Sequence, residues 1–106
     1  MKHVLTAVLG VLAFALVFST WSLADNGADT FKAKCAMCHG ADGKGETAMG
    51  KTLKLRDLGS ADVQSQSDSD LTNIITNGKG KMPKYDGKLT KDQIDDVVKF
   101  VRTLKH

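Results

Sequence analysis

The chain has 106 residues, 42% of them hydrophobic but only 6% aromatic, and 15 Lys and Arg against 12 Asp and Glu give a formal net charge of +3. That length bounds the answer to one small domain. So mild a positive excess excludes the basic balance of a nucleic-acid-binding chain.

In chain order, the first segment is not part of that domain. "MKHVLTAVLGVLAFALVFSTWSLA" opens with Lys2 and His3, runs apolar from Val4 to Phe18, and closes on the small residues Ser22 and Ala24. This is the positive n-region, short h-region and small-residue cleavage site of a secretory signal peptide. Residues 1–24 are therefore expected to be the signal and 25–106 the mature domain, exported to the periplasm. The alternative is an uncleaved membrane anchor. The apolar run is short of the roughly 20 residues that a span needs, although counting through Trp21 brings it close. No cysteine stands near Ala24, so a lipoprotein-type anchor has no attachment residue. With the signal removed, the sole Trp goes too, and the aromatics left are Phe31, Tyr85 and Phe100. A domain this small usually needs a staple, metal or ligand, and here something other than side chains is expected to fill the core.

Ala28 to Cys38 reads as a short helix with Phe31 and Cys35 on one face, and Asp29 in its first turn suits the helix dipole. Gly40, Gly43 and Gly45 then break the chain into turns. "TAMGKTLKLRDLG" shows no sustained period and reads as irregular, with room for one helical turn. "SADVQSQSDSD" reads as a surface loop that ends in a helix start. Ser67 or Ser69 caps the next helix, Leu71, Ile74 and Ile75 share a face of it, and Gly78 stops it after Asn77. "GKGKMPKYDGK" is an extended loop holding the only proline, Pro83. The last helix carries the strongest signal. Thr90 and Gln93 form a capping box, Ile94, Val97, Val98, Val101 and Leu104 follow at helical spacing, and Lys99, Arg102 and Lys105 load its end with positive charge. Phe100 lies off that stripe, which points to a second contact with another helix. No strand pattern stands out. The fold class is all-α: three to five short helices with long loops wrapped around a cofactor.

Both cysteines lie in "KCAMCHGADG", as Cys35 and Cys38, with His39 directly after. A thioredoxin-type redox pair belongs at a strand-to-helix junction, and no strand precedes Cys35. Zinc needs four ligands; after cleavage only Cys35, Cys38, His39 and His106 remain, and Cys38 and His39 are neighbours, which on a helix point about 100° apart, so one tetrahedron closes awkwardly from this set. A disulfide closing so short a loop contributes little stability and leaves His39 without a role. Haem attachment uses every residue. C-x-x-C-H is the c-type haem signature: the two thiols add to the porphyrin vinyl groups, their spacing puts them on one face of a helical turn, and His39 lies beneath the iron as an axial ligand. The second axial position could be filled by Met37, Met49 or Met82. Met37 lies within the attachment turn and points away, and Met49 is close to His39 in sequence. Met82 sits far along the chain on a glycine-rich loop, where glycines allow the backbone to approach the porphyrin and Pro83 stiffens the neighbouring backbone. Met82 is therefore the expected ligand, with Met49 packing on the ring or exposed.

These segments resemble the class I c-type cytochromes, small single-haem electron carriers, over nearly all of residues 26–104. "GADTFKAKCAMCHG" is similar to the family's first helix and haem motif. "DGKG" resembles the turn after it, "DLTNIITNGKGKMP" the helix leading to the methionine ligand, and "IDDVVKFVRTL" the last helix. The resemblance implies that the first and last helices cross, with Gly27 and Phe31 meeting Phe100, and that Arg56 stands near a haem propionate. It implies one covalent haem c and an outer-sphere electron carrier, not an enzyme, that shuttles between redox partner proteins as a monomer without a membrane span. Lys79, Lys81, Lys84 and Lys88 around Met82 would steer a negatively charged partner. The rival readings are a ligand-binding or peroxidase-like haem protein with a labile Met82 and a membrane-anchored cytochrome subunit. The chain departs from many relatives in lacking a proline just after C-H-G, which leaves no assigned acceptor for His39 Nδ1.

Overall fold

A computed structural model describes residues 23–106. The expected signal peptide, residues 1–24, falls almost wholly outside the described residues. The described chain holds six helices: α1 (Leu23–Lys34), α2 (Ala36–His39), α3 (Ala48–Leu53), α4 (Ala61–Gln64), α5 (Asp68–Asn77) and α6 (Lys91–Thr103). The all-α class holds, and α2 and α4 are single four-residue turns. Two isolated bridges, Lys79–Met82 and Asp86–Leu89, are the only β pairings among the described residues.

The frame is the crossing of α1 on α6. The Thr90 hydroxyl accepts from the Gln93 backbone N–H, and the Gln93 side chain accepts from the Thr90 N–H, which completes the expected capping box. Ile94, Val97, Val98 and Val101 are buried along one stripe of α6. Phe100, off that stripe, packs on Phe31 of α1 with ring centroids 5.0 Å apart, tilted by 46°. The crossing is tight because Gly27 lies against the α6 backbone: a Cβ there would sit 2.1 Å from the Asp96 carbonyl oxygen. Phe31 is only 2% exposed and anchors the core with Val97. α5 adds Leu71 and Ile75 to the same core. The Ser67 side chain caps it by accepting from the Asp70 N–H at 3.0 Å, so Ser67 is the cap and not Ser69.

Two expectations about α1 change. Its described part already runs from Leu23, so Asp29 stands in mid-helix and not in the first turn. It also stops at Lys34: the Cys38 N–H turns to the Cys35 carbonyl (3.3 Å) and not back to Lys34, and α2 starts afresh. Leu104, expected at the end of the α6 stripe, is the C-cap residue. Arg102, read as a charge for the helix dipole, ties α6 to the segment before α5. Its guanidinium donates to Asp68 (2.9 Å) and to the carbonyls of Gln64 (2.9 Å) and Gln66 (2.6 Å). This network is invisible to a periodicity argument because its partners are more than thirty residues away and two of them are backbone.

Candidate functional site

The attachment turn is held from several sides. The Cys35 N–H continues α1 onto the Phe31 carbonyl (2.8 Å), and the His39 N–H bonds the Cys35 carbonyl (3.0 Å). The His39 carbonyl accepts from the Gly45 N–H (2.8 Å), and the Cys38 carbonyl accepts from the Thr47 hydroxyl (2.6 Å). Thr47 also caps α3 through the Gly50 N–H at 2.9 Å. The turn-rich stretch after His39 thus folds back and locks the backbone of both Cys38 and His39, while Cys35 is fixed by α1.

The three residues face one crevice. Cys35 and His39 line two adjoining cavities, about 470 and 370 Å³ in volume, and Cys38 lines the larger. Met82 lines both cavities as well. The chain therefore brings Cys35, Cys38, His39 and Met82 to the same opening from segments more than forty residues apart. Leu55, Leu58, Ile74 and Ile75 line its inner part, beside the α6 stripe. Met37 is 83% exposed and Met49 47% exposed, and neither lines the crevice.

The Met82 loop is a folded element. Lys79 and Met82 exchange backbone hydrogen bonds (3.2 and 3.0 Å), forming a tight turn that ends on the methionine. Gly78 makes this possible at φ +76°, and a Cβ there would lie 2.6 Å from the Met82 carbonyl oxygen. Among protein atoms, the close approach at this glycine is to the loop's own returning backbone. The loop is tied down behind Met82, where the Tyr85 and Asp86 N–H groups donate to the Ile75 and Thr76 carbonyls of α5 (3.1 and 3.0 Å).

The electrostatics suit a neutral, apolar guest. Burial holds the His39 imidazole below its ordinary pKa, so the neutral form that coordinates metal is favoured. Burial, then the neighbouring Cys38, pushes the Cys35 thiol up to about 11. His39 Nδ1 is buried with no protein hydrogen-bond partner among the described residues. Lys79, Lys81, Lys84 and Lys88 are all exposed. None of them makes an ion pair among the described residues. Lys79 and Lys81 stand at the rim of the larger cavity. Arg56, an exposed residue, borders the smaller cavity. A covalent, flat, largely apolar macrocycle with a metal centre fits this set: two thiols and a neutral imidazole from the attachment turn, a thioether from the Met82 loop, and aliphatic lining residues.

Three comparisons bear on this geometry. The family described as cytochrome C oxidase, cbb3-type, subunit III matches residues 22–101. Cytochrome c6 of Nostoc sp. (strain PCC 7120) is 40% identical over 105 residues, covering 95% of this chain and 92% of that one. Cytochrome c6 of Porphyra purpurea is 34% identical over 105 residues, covering 95% and 93% of the two chains. Among solved structures, the KustC0563 c-type cytochrome superposes with a TM-score of 0.71 at 30% identity, covering 76% of this chain and 98% of that chain.

Proposed function

Because the chain belongs to the small class I c-type cytochromes and so carries one covalently bound haem c, we propose that it is a single-electron carrier in which Cys35 and Cys38 hold the haem and His39 and Met82 are the axial ligands. The observation that carries this reading is the convergence of all four side chains on one crevice from two separate walls. In attachment, each S–H adds across a vinyl group: sulfur bonds one carbon, the hydrogen goes to the other, and no oxidant is consumed. Haem c supplies one-electron redox chemistry at its iron. The protein's part is to hold the ligand geometry rigid and to exclude water. A neutral imidazole and a thioether favour a higher potential than harder ligands would, and burial in apolar surroundings raises it further. The backbone locks on His39 and Met82 keep both ligands in place in either oxidation state.

The same reading takes residues 1–24 as an export signal and the mature domain as periplasmic. Its partners are larger redox proteins, of which an acidic one would be steered to the crevice rim by Lys79, Lys81, Lys84 and Lys88. Arg56 is proposed to face a haem propionate. A carrier and not an enzyme is the favoured class. The one described histidine besides His39 is His106, and it is held by Asp57 at 2.7 Å, so it is not placed to assist chemistry at an open iron site. The match to a family named for an oxidase subunit gives some weight to an anchored-subunit reading. Against it, relatives named cytochrome c6 align along nearly their whole length.

A haem-stained denaturing gel with the intact mass of the exported protein tests the proposal. Haem that stays on the chain through denaturation, and is lost from the Cys35→Ala/Cys38→Ala variant, is the expected result. A mass beginning at Asp25 favours the shuttle, and a retained leader favours the anchored subunit. Haem released from the unmodified protein overturns covalent attachment at these cysteines.

A further inference from the structure

The two walls of the crevice come from different parts of the chain; Leu89 of the second shares the apolar core with Phe31 of the first, but only one hydrogen bond joins them. One wall is α1 and the Cys35–His39 turn. The other is the loop from Gly78 to Thr90, which carries Met82. Among the described residues a single hydrogen bond links this loop to residues 23–60: the Tyr85 hydroxyl donates to the Lys34 carbonyl at 3.0 Å. The acceptor is available because of the helix break. In a continuous helix the Lys34 carbonyl would accept from Cys38 N–H four residues on. Here that N–H bonds Cys35 instead, so Lys34 is left with an open carbonyl one residue before the first attachment cysteine. Tyr85 itself is anchored, since its own N–H is bonded to Ile75 and its carbonyl accepts from Lys88 and Leu89 (both 2.9 Å). Its ring lines the larger cavity together with Cys35, Cys38 and Met82.

The geometry points to Tyr85 as a positioning residue, a clasp that holds the Met82 loop against the haem-attachment wall and so limits how readily the methionine leaves the iron. This rests on the reading of Met82 as an axial ligand. The clasp acts by closing the crevice, not by touching the metal. Without the hydroxyl the loop would keep its own turn and its bonds to α5, but it would swing away from α1 more often. Each opening exposes the iron to a competing ligand. The clasp therefore affects ligand exchange more than it affects global stability, because the α1–α6 core does not depend on it.

The test compares the ferric holoprotein, Tyr85→Phe and Met82→Ala by imidazole titration, by the absorption band of methionine sulfur bound to ferric haem, and by urea unfolding. Tyr85→Phe keeps the aromatic ring and every backbone bond. The clasp predicts that Tyr85→Phe retains the sulfur band but binds imidazole about three- to tenfold more tightly than the unmodified protein, the fold-change one neutral hydrogen bond supplies. The urea midpoint should move little. Unchanged imidazole affinity in Tyr85→Phe overturns the clasp, including the case in which only the urea midpoint falls. A missing sulfur band in the unmodified protein, with imidazole affinity equal to that of Met82→Ala, overturns the axial role of Met82, and the clasp with it.

Discussion

At the scale of single residues, the side chains proposed to hold the haem stand out in the sequence because their signals are local, and the fold brings all four to one crevice. Cys35, Cys38 and His39 announce themselves by spacing, and Met82 by its flanking glycines and Pro83. What stayed hidden were contacts between residues distant in sequence. Arg102 and Tyr85 bond backbone carbonyls, and no pattern of side chains reports those. The same holds for His106, which lies on the 57–59 turn. Its ring bonds Asp57 Oδ2 at 2.7 Å, and its N–H bonds the Gly59 carbonyl at 3.2 Å. The hydrogen bond from His106, followed by that from the Gly59 N–H, holds the Asp57 carboxyl below its ordinary pKa. A carboxylate favoured by the fold adds stability above its unfolded pKa, and that stability disappears as the pH falls through the lower folded value. Asp57→Asn is therefore expected to lower the urea midpoint at neutral pH, with the difference from the unmodified protein shrinking to nothing in strong acid. Asp57 is on the surface, so the effect is small. A difference that grows toward acid pH would show that the His106 contact does not depend on the carboxylate.

At the scale of elements, the sequence reading succeeded where one helix carries its own instructions. α6 has a capping box, an apolar stripe and a positive end, and all three describe the element in place. α5 has a capping serine and a terminal glycine. Shorter elements carry fewer such instructions: α4 has no side-chain cap, and α3 has a capping threonine, Thr47, but no glycine at its end. Lys54 shows this: it ends α3 in the left-handed region at φ 56°, the one non-glycine residue to do so among those described. The crossing of α1 on α6 was implied by the family resemblance, and its geometric cause is the missing side chain at Gly27. Gly27→Leu would drive a side chain into the Asp96 carbonyl and toward Phe100. Overpacking of this kind costs about 1–3 kcal/mol and at times more, and here it would also part Phe31 from Phe100. The expected outcome is a urea midpoint lowered by a comparable free energy with the haem still attached. Near-unchanged stability would mean that α1 can slide along α6 without losing the aromatic contact.

At the scale of the whole molecule, a chain poor in aromatic residues folds around a crevice lined by its aliphatic ones. Among the described residues the protein core is nine buried side chains, centred on Phe31 and Val97. Leu71, Ile75, Val97, Val98 and Val101 of that core also border the inner cavity, so the core and the cofactor site are one structure seen from two sides. That is why composition alone foretold a guest. Covering an aliphatic side chain is worth roughly 1.5–3 kcal/mol, while a whole domain is stable by only about 5–15 kcal/mol. Leaving several crevice residues in water is enough to remove most of that margin. The α1–α6 crossing has its own contacts in Phe31, Phe100 and Gly27, so it should be the last part to come apart. The Cys35→Ala/Cys38→Ala chain, produced without haem, is thus expected to show much weaker helical circular dichroism and no sigmoidal urea transition. What helix remains should be in α6, detectable by slower amide exchange at Val97, Val98 and Val101 than in α5. A cooperative transition at the midpoint of the haem-bound protein would mean that protein side chains alone carry the fold, and that the crevice is a preformed cleft independent of its guest.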